Sequence, residues 1–254
     1  MSKSNNLAQA ADVLYVYDGS LAGFYSCVFH SIYSKTLPVD ICPEEALQPS
    51  LYPAIYIATE QDKAERVRRS IPQKIAAEAL PLVETVFLSC LEHKELHLLE
   101  FLLMGYAQGA RVLKMLGDPL VSKIYAAQQH LLGEKQLLLG FIRFSDYGGA
   151  LAAVITPKNF VLPFLAGHFI SRLSGENFLI FDKTHKAALV YQDRTAEIIP
   201  IETLELPEAS NEECEYRAMW KSFYKTISIQ ARYNPKCRRT HMPKRYWENM
   251  TEFN

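Results

Sequence analysis

The 254-residue chain is poor in glycine (11) and tryptophan (2), and its 5 cysteines follow no pattern. Cys27, Cys42, Cys90, Cys214 and Cys237 are odd in number and form no C-x-x-C pair. This argues against a disulfide framework and offers no zinc or iron–sulfur ligand spacing, so neither a metal nor a cofactor is expected. No run approaches the roughly 18 uncharged apolar residues of a bilayer span. The first residues also lack the basic-then-apolar order of a secretion signal. The expectation is therefore a cytoplasmic protein with no membrane association. Neither sign of charge dominates, because 27 Lys and Arg oppose 28 Asp and Glu for a net charge of -1, which removes any global attraction to polyanions. There is no internal repeat. The chain has 49% apolar and 22% charged residues, enough for a real core in one large domain or two small ones.

The pattern along the chain predicts an α+β fold. Ala11 to Tyr17 reads as a strand, Asp18-Gly19-Ser20 as a capping turn, and 21–33 as a helix with Phe24, Val28 and Ile32 at spacing four. Cys27 falls on the buried side of that helix as a small hydrophobe. Residues 37–52, with three prolines, read as loop, and 54–59 as a second short strand. From Glu60 to Gly133 the reading is helical, broken at Pro72, Pro81, Glu92 to Lys94 and Gly117-Asp118-Pro119. Residues 137–144, 150–156, 177–182 and 187–192 read as strands of a small, mainly antiparallel sheet, with one packed helix over 160–173. A boundary near Gly133 and Glu134 divides 11–133, a strand plus helical layer, from 134–254, which carries the sheet, the packed helix and a basic carboxyl-terminal helix and tail.

Charge is segregated late in the chain. Residues 193–215 hold eight acids and one base, Arg194, and read as a connector. Residues 216–247 hold nine bases and no acid. A helical wheel over 216–232 puts Met219, Trp220, Phe223, Ile227 and Ala231 on a face expected to dock. Arg217, Lys221, Lys225 and Arg232 fall on an adjacent stripe expected to stay outside. Arg238, Arg239, Lys244 and Arg245 continue the positive run beside Tyr246 and Trp247. Cations that neutralise phosphates, with rings that stack on bases, are what nucleic-acid binding requires. The same bases paired with the acidic connector would be a solvated helix face instead.

A second group offers acid–base or phosphate chemistry. His168 and Arg172 lie four apart on one helix face, and Arg143 and Asp182, with His185 at a hairpin, could reach the same end of the sheet. An ordinary helical His–Arg pair is the alternative. Asp18-Gly19-Ser20 could present N–H groups to an anion or simply cap its helix. The sequence His93-Lys94-Glu95-Leu96-His97 lacks the H-E-x-x-H order that sets a base beside zinc.

Several ordered segments together resemble one family: V-Y-D-G-S-L-A-G-F (16–24), D-K-A-E-R-V (62–67), G-F-I-R-F (140–144), H-F-I-S-R (168–172), F-L-I-F-D (178–182), W-K-S-F-Y-K-T-I-S-I-Q-A-R-Y-N-P (220–235) and M-P-K-R-Y-W (242–247). It is the domain-of-unknown-function family labelled probable DNA metabolism protein, linked to a radical-SAM partner protein and in some relatives fused to a uracil-DNA glycosylase-like domain. The resemblance implies a bacterial accessory protein of DNA modification or repair that binds DNA. The C-x-x-x-C-x-x-C cluster of a radical-SAM enzyme is absent, so that chemistry would belong to the partner. His185 stands where the family pattern suggests an arginine. Two other functions compete: an enzyme acting on a nucleotide or damaged DNA through His168, and an adaptor whose basic tail binds an acidic protein surface.

Overall fold

The computed structural model describes residues 9–253 and divides into two compact units, with the division between Leu131 and Leu132. The first unit is built on a three-stranded parallel sheet. Its central strand, β2 (Leu14–Tyr17), follows the two-residue β1 (Gln9–Ala10) and leads into α1 (Leu21–Ser34). Then come β3 (Thr36–Leu37), which pairs with β1, β4 (Asp40–Pro43) and β5 (Ala54–Tyr56). Both β4 and β5 run parallel to β2, one on each side. All four residues of β2 are buried, as expected for a strand covered on both faces. The sequence reading missed β4 inside its proline-rich loop. Four residues bounded by Pro38 and Pro43 carry little periodicity, and pairing with β2 makes the strand.

Four helices complete this unit: α2 (Gln61–Lys74), α3 (Ala79–Phe87), α4 (Lys94–Gln108) and the start of α5 (Pro119–Phe141). Pro72 does not break α2, which continues to Lys74, and Pro81 sits in the first turn of α3, where no N–H partner is lost. Phe24 and Val28 of α1 are buried with Val67, Ile71, Leu98 and Phe101. Cys27 lies among them, and burial pushes its thiol up to about 12. Gly23 is required by close approach: a Cβ there would lie 2.2 Å from Asp18 Oδ1 and 2.8 Å from Thr59 Oγ1.

The second unit carries a five-stranded sheet. β6 (Ser145–Asp146), β7 (Ala150–Ile155), α6 (Leu162–Arg172), β8 (Asn177–Asp182), β9 (Ala187–Gln192) and β10 (Thr195–Pro200) follow in chain order, and the sheet runs β10-β9-β8-β7-β6. Only β7 and β8 pair in parallel, and the connection between them carries α6; the other pairings are antiparallel. Two sequence expectations fail here. Residues 137–141 extend α5 instead of starting a strand, because Leu131, Glu134 and Leu138 are buried at helical spacing. The supposed connector contains β10, which pairs with β9 across Asp193 and Arg194, both at positive φ. Every residue of β10 is exposed, so backbone pairing makes this strand and no hydrophobic alternation announces it. After β10 come α7 (Asn211–Ile227), α8 (Pro235–His241) and three 3-10 turns, Gln230–Arg232, Lys244–Asn249 and Thr251–Phe253.

Candidate nucleic-acid interface

Helix α7 is anchored by one edge. Ser210 caps it by accepting from Glu213 N–H at 3.1 Å. Glu213 accepts from the Asp146 N–H at 3.2 Å and from Arg217 Nε at 2.7 Å, and Arg217 Nη2 donates to Ser145 Oγ at 2.8 Å. Trp220 Nε1 donates to Glu252 at 3.0 Å, and Tyr224 meets Phe253 edge-on. Residues 213, 217, 220 and 224 are spaced four, three and four apart, so they form a single stripe.

This reverses the expected orientation. The apolar face of Met219, Phe223 and Ile227 was expected to dock, yet these side chains are 61%, 52% and 57% exposed, and Ala231 is exposed too. Trp220, at 38%, stands at the border of the two stripes. The polar edge wins because the unit supplies partners for Glu213, Arg217 and Trp220, which an apolar contact would leave unpaired. Beside α7 lies a groove of about 710 Å³ lined by Gly140, Arg143, Tyr216, Trp220 and Phe223.

Two carboxylates hold this end of the unit together. Glu252 receives Arg143 through Nη2 at 2.7 Å and Nε at 3.2 Å, in addition to Trp220, while the Arg143 guanidinium sits 5.4 Å from the Trp220 ring centre. Arg143 follows the end of α5 and is not on the strand expected for it. Glu134 accepts from the N–H groups of Lys158 and Asn159, from Asn159 Nδ2 at 2.6 Å, from the Tyr246 hydroxyl at 2.7 Å and from Arg245 Nη2 at 2.7 Å. Burial pushes both carboxyls up, but the hydrogen bonds outweigh it and hold each below the usual carboxylate range.

The cations of the tail therefore fall into classes that sequence did not separate. Arg217 is ion-paired with Glu213 and Arg245 with Glu134, so both serve the fold. Arg238 is half-buried, its guanidinium 4.8 Å from the Trp247 ring centre and 4.5 Å from that of Phe253. Lys221 is half-buried, whereas Lys225, Arg232, Lys236, Arg239 and Lys244 are exposed. Tyr246 is 2% exposed and held by Glu134, so it presents no ring face to a base. Trp247 is half-buried, stacks on Phe253 at 4.6 Å and donates to Met242 O. Of the connector's acids, only Glu213 pairs with a base of the tail among the described residues.

A family model described as a domain of unknown function, DUF4130, matches residues 92–252, more than half of the sequence. The chain belongs to the DUF4130 family. No curated protein and no solved structure matches the chain. The DUF4130 match takes in α4 to α8 and both carboxylate networks, and leaves the parallel sheet outside.

Among the described residues no hydrogen bond or ion pair joins Arg143, His168, Arg172 and Asp182 to one another. Arg143 is committed to Glu252. Asp182, fully buried, accepts from the Thr184 and His185 N–H groups and contacts His185 Nδ1 at 2.7 Å, closing the β8–β9 turn. His168 and Arg172 are exposed on α6, with the His168 ring against Phe169. His93 contacts Asp40, and Asp18 receives Ser20 and Thr59 instead of presenting an open anion site. Among the described residues no group of three His, Cys, Asp or Glu side chains gathers to hold a metal, and no helix is long and apolar enough to cross a membrane. Sequence reasoning passed over Glu134 and Glu252. For Glu134 the available signal was a lone acid within the leucine-rich stretch L-L-G-E-K-Q-L-L-L.

Proposed function

We propose that this DUF4130 protein binds nucleic acid through its carboxyl-terminal unit and acts as a non-catalytic accessory in DNA modification or repair. The observation that carries the reading is the set of exposed bases beyond α7, Lys236, Arg239 and Lys244, none ion-paired among the described residues, with Trp247 beside them in sequence. Cations not neutralised by a carboxylate are free to replace condensed counterions on a phosphate backbone. The radical-SAM protein is the partner that the sequence resemblance implies, and it would supply the chemistry. A catalytic reading has less support, since Arg143 is paired with Glu252 and Asp182 with His185, and neither makes a hydrogen bond or ion pair with His168 among the described residues.

The test is fluorescence anisotropy with single- and double-stranded oligonucleotides over a salt series. Binding is expected to weaken steeply as salt rises. Salt-independent binding, or none at low salt, removes the tail from consideration. Co-purification with a radical-SAM protein encoded nearby tests the partner separately.

A further inference from the structure

The outward face of α7 is an exposed apolar stripe. Tyr216, Met219, Phe223 and Ile227 recur every three or four residues, and Ile229 and Tyr233 extend the apolar run beyond the helix; each is more than half exposed. Isolated apolar side chains on a surface are ordinary, but a contiguous helical stripe marks a docking surface. Turning α7 about its axis to bury the stripe would break the bonds from the Asp146 N–H to Glu213, from Arg217 to Ser145 and from Trp220 to Glu252. Met219, Ile227 and Ile229 have no ring to stack on a base, which points to a protein surface.

Charge selects the occupant. Glu212 and Glu215 stand at the start of α7, Lys225 near its end and Arg232 just beyond. All four are exposed, and none makes an ion pair among the described residues. A helix acidic at one end, basic at the other and apolar between them is complementary to itself when reversed. A two-fold axis near Trp220 and Phe223 sets Tyr216 of one copy opposite Ile227 of the other, and Glu212 opposite the segment carrying Arg232. We propose that α7 forms the interface of a symmetric homodimer in which the helices of two copies pair antiparallel.

Sedimentation equilibrium of the full chain over a concentration series reads this directly. The wild type is expected to dimerise. Met219→Glu with Phe223→Glu, at positions exposed in the protomer, is expected to give a monomer with an unchanged far-ultraviolet circular dichroism spectrum. Should that variant fail to fold, Ile227→Asp reads the same loss. Glu212→Lys or Arg232→Glu alone is expected to raise the dissociation constant several-fold, and the two together to restore it. A wild type that stays monomeric overturns the proposal. So does a dimer indifferent to the stripe substitutions, or one in which the double charge reversal dissociates more readily than either single change.

Discussion

Glu134 anchors its unit through a carboxylate buried at its own cost. Five donor groups from Lys158, Asn159, Arg245 and Tyr246 converge on it, and its pKa lies below the ordinary value despite burial. A depressed folded-state pKa contributes stability that is present above the unfolded pKa and lost as pH falls through the folded one. The carboxyl-terminal unit is therefore expected to weaken on acidification below the usual carboxylate range, and Glu134→Gln to flatten that dependence in denaturant melts at several pH values. Glu134→Ala, which strands the Arg245 guanidinium, is expected to cost roughly 3–5 kcal/mol at neutral pH. Tyr246→Phe removes one bond to a charged acceptor, at about 1.5–3 kcal/mol, and should leave oligonucleotide affinity unchanged in the folded protein. That last expectation departs from the sequence reading, which treated Tyr246 and Arg245 as part of the binding surface. Their partner lies 111 and 112 residues away, and local charge carries no trace of it.

At the level of elements, legibility followed burial. β8 and β9 match the expected spans residue for residue, because their apolar runs are buried and turn residues bound them. β10 and β4 were lost because pairing, not patterning, makes them. The end of α5 was misassigned because leucine serves a helix and a short buried strand equally well. For α7 the helix itself was legible and its orientation was not: hydrophobic periodicity identifies a stripe but does not say whether its owner or another molecule covers it. Ser210→Ala removes the cap that fixes where this helix begins, and is expected to cost about 1 kcal/mol in a denaturant melt. In the amino-terminal unit, Gly23→Ala drives a methyl group into Asp18 and Thr59, and a loss of about 1–3 kcal/mol is expected by the same measurement.

For the whole molecule, near-neutral charge conceals a working asymmetry. Removing Lys236 or Arg239, both exposed and on α8, is expected to flatten the dependence of log affinity on log salt by about one unit and to lower affinity similarly for every oligonucleotide sequence. Substituting Arg245 should instead lower the melting temperature. An oligonucleotide titration set beside a thermal melt separates the two classes of cation that composition alone merges. The carboxylate networks also impose an order on biosynthesis. Glu134 and Arg143 leave the ribosome more than a hundred residues before Arg245 and Glu252, so the emerging chain exposes an unmatched acid and an unmatched base until its last turns are made. The parallel sheet and its helices, whose contacts lie within the first 131 residues, can close during translation, whereas the carboxyl-terminal unit is expected to close late. A nascent chain stalled before Lys244 should accordingly protect the first unit from protease and leave the second open to it.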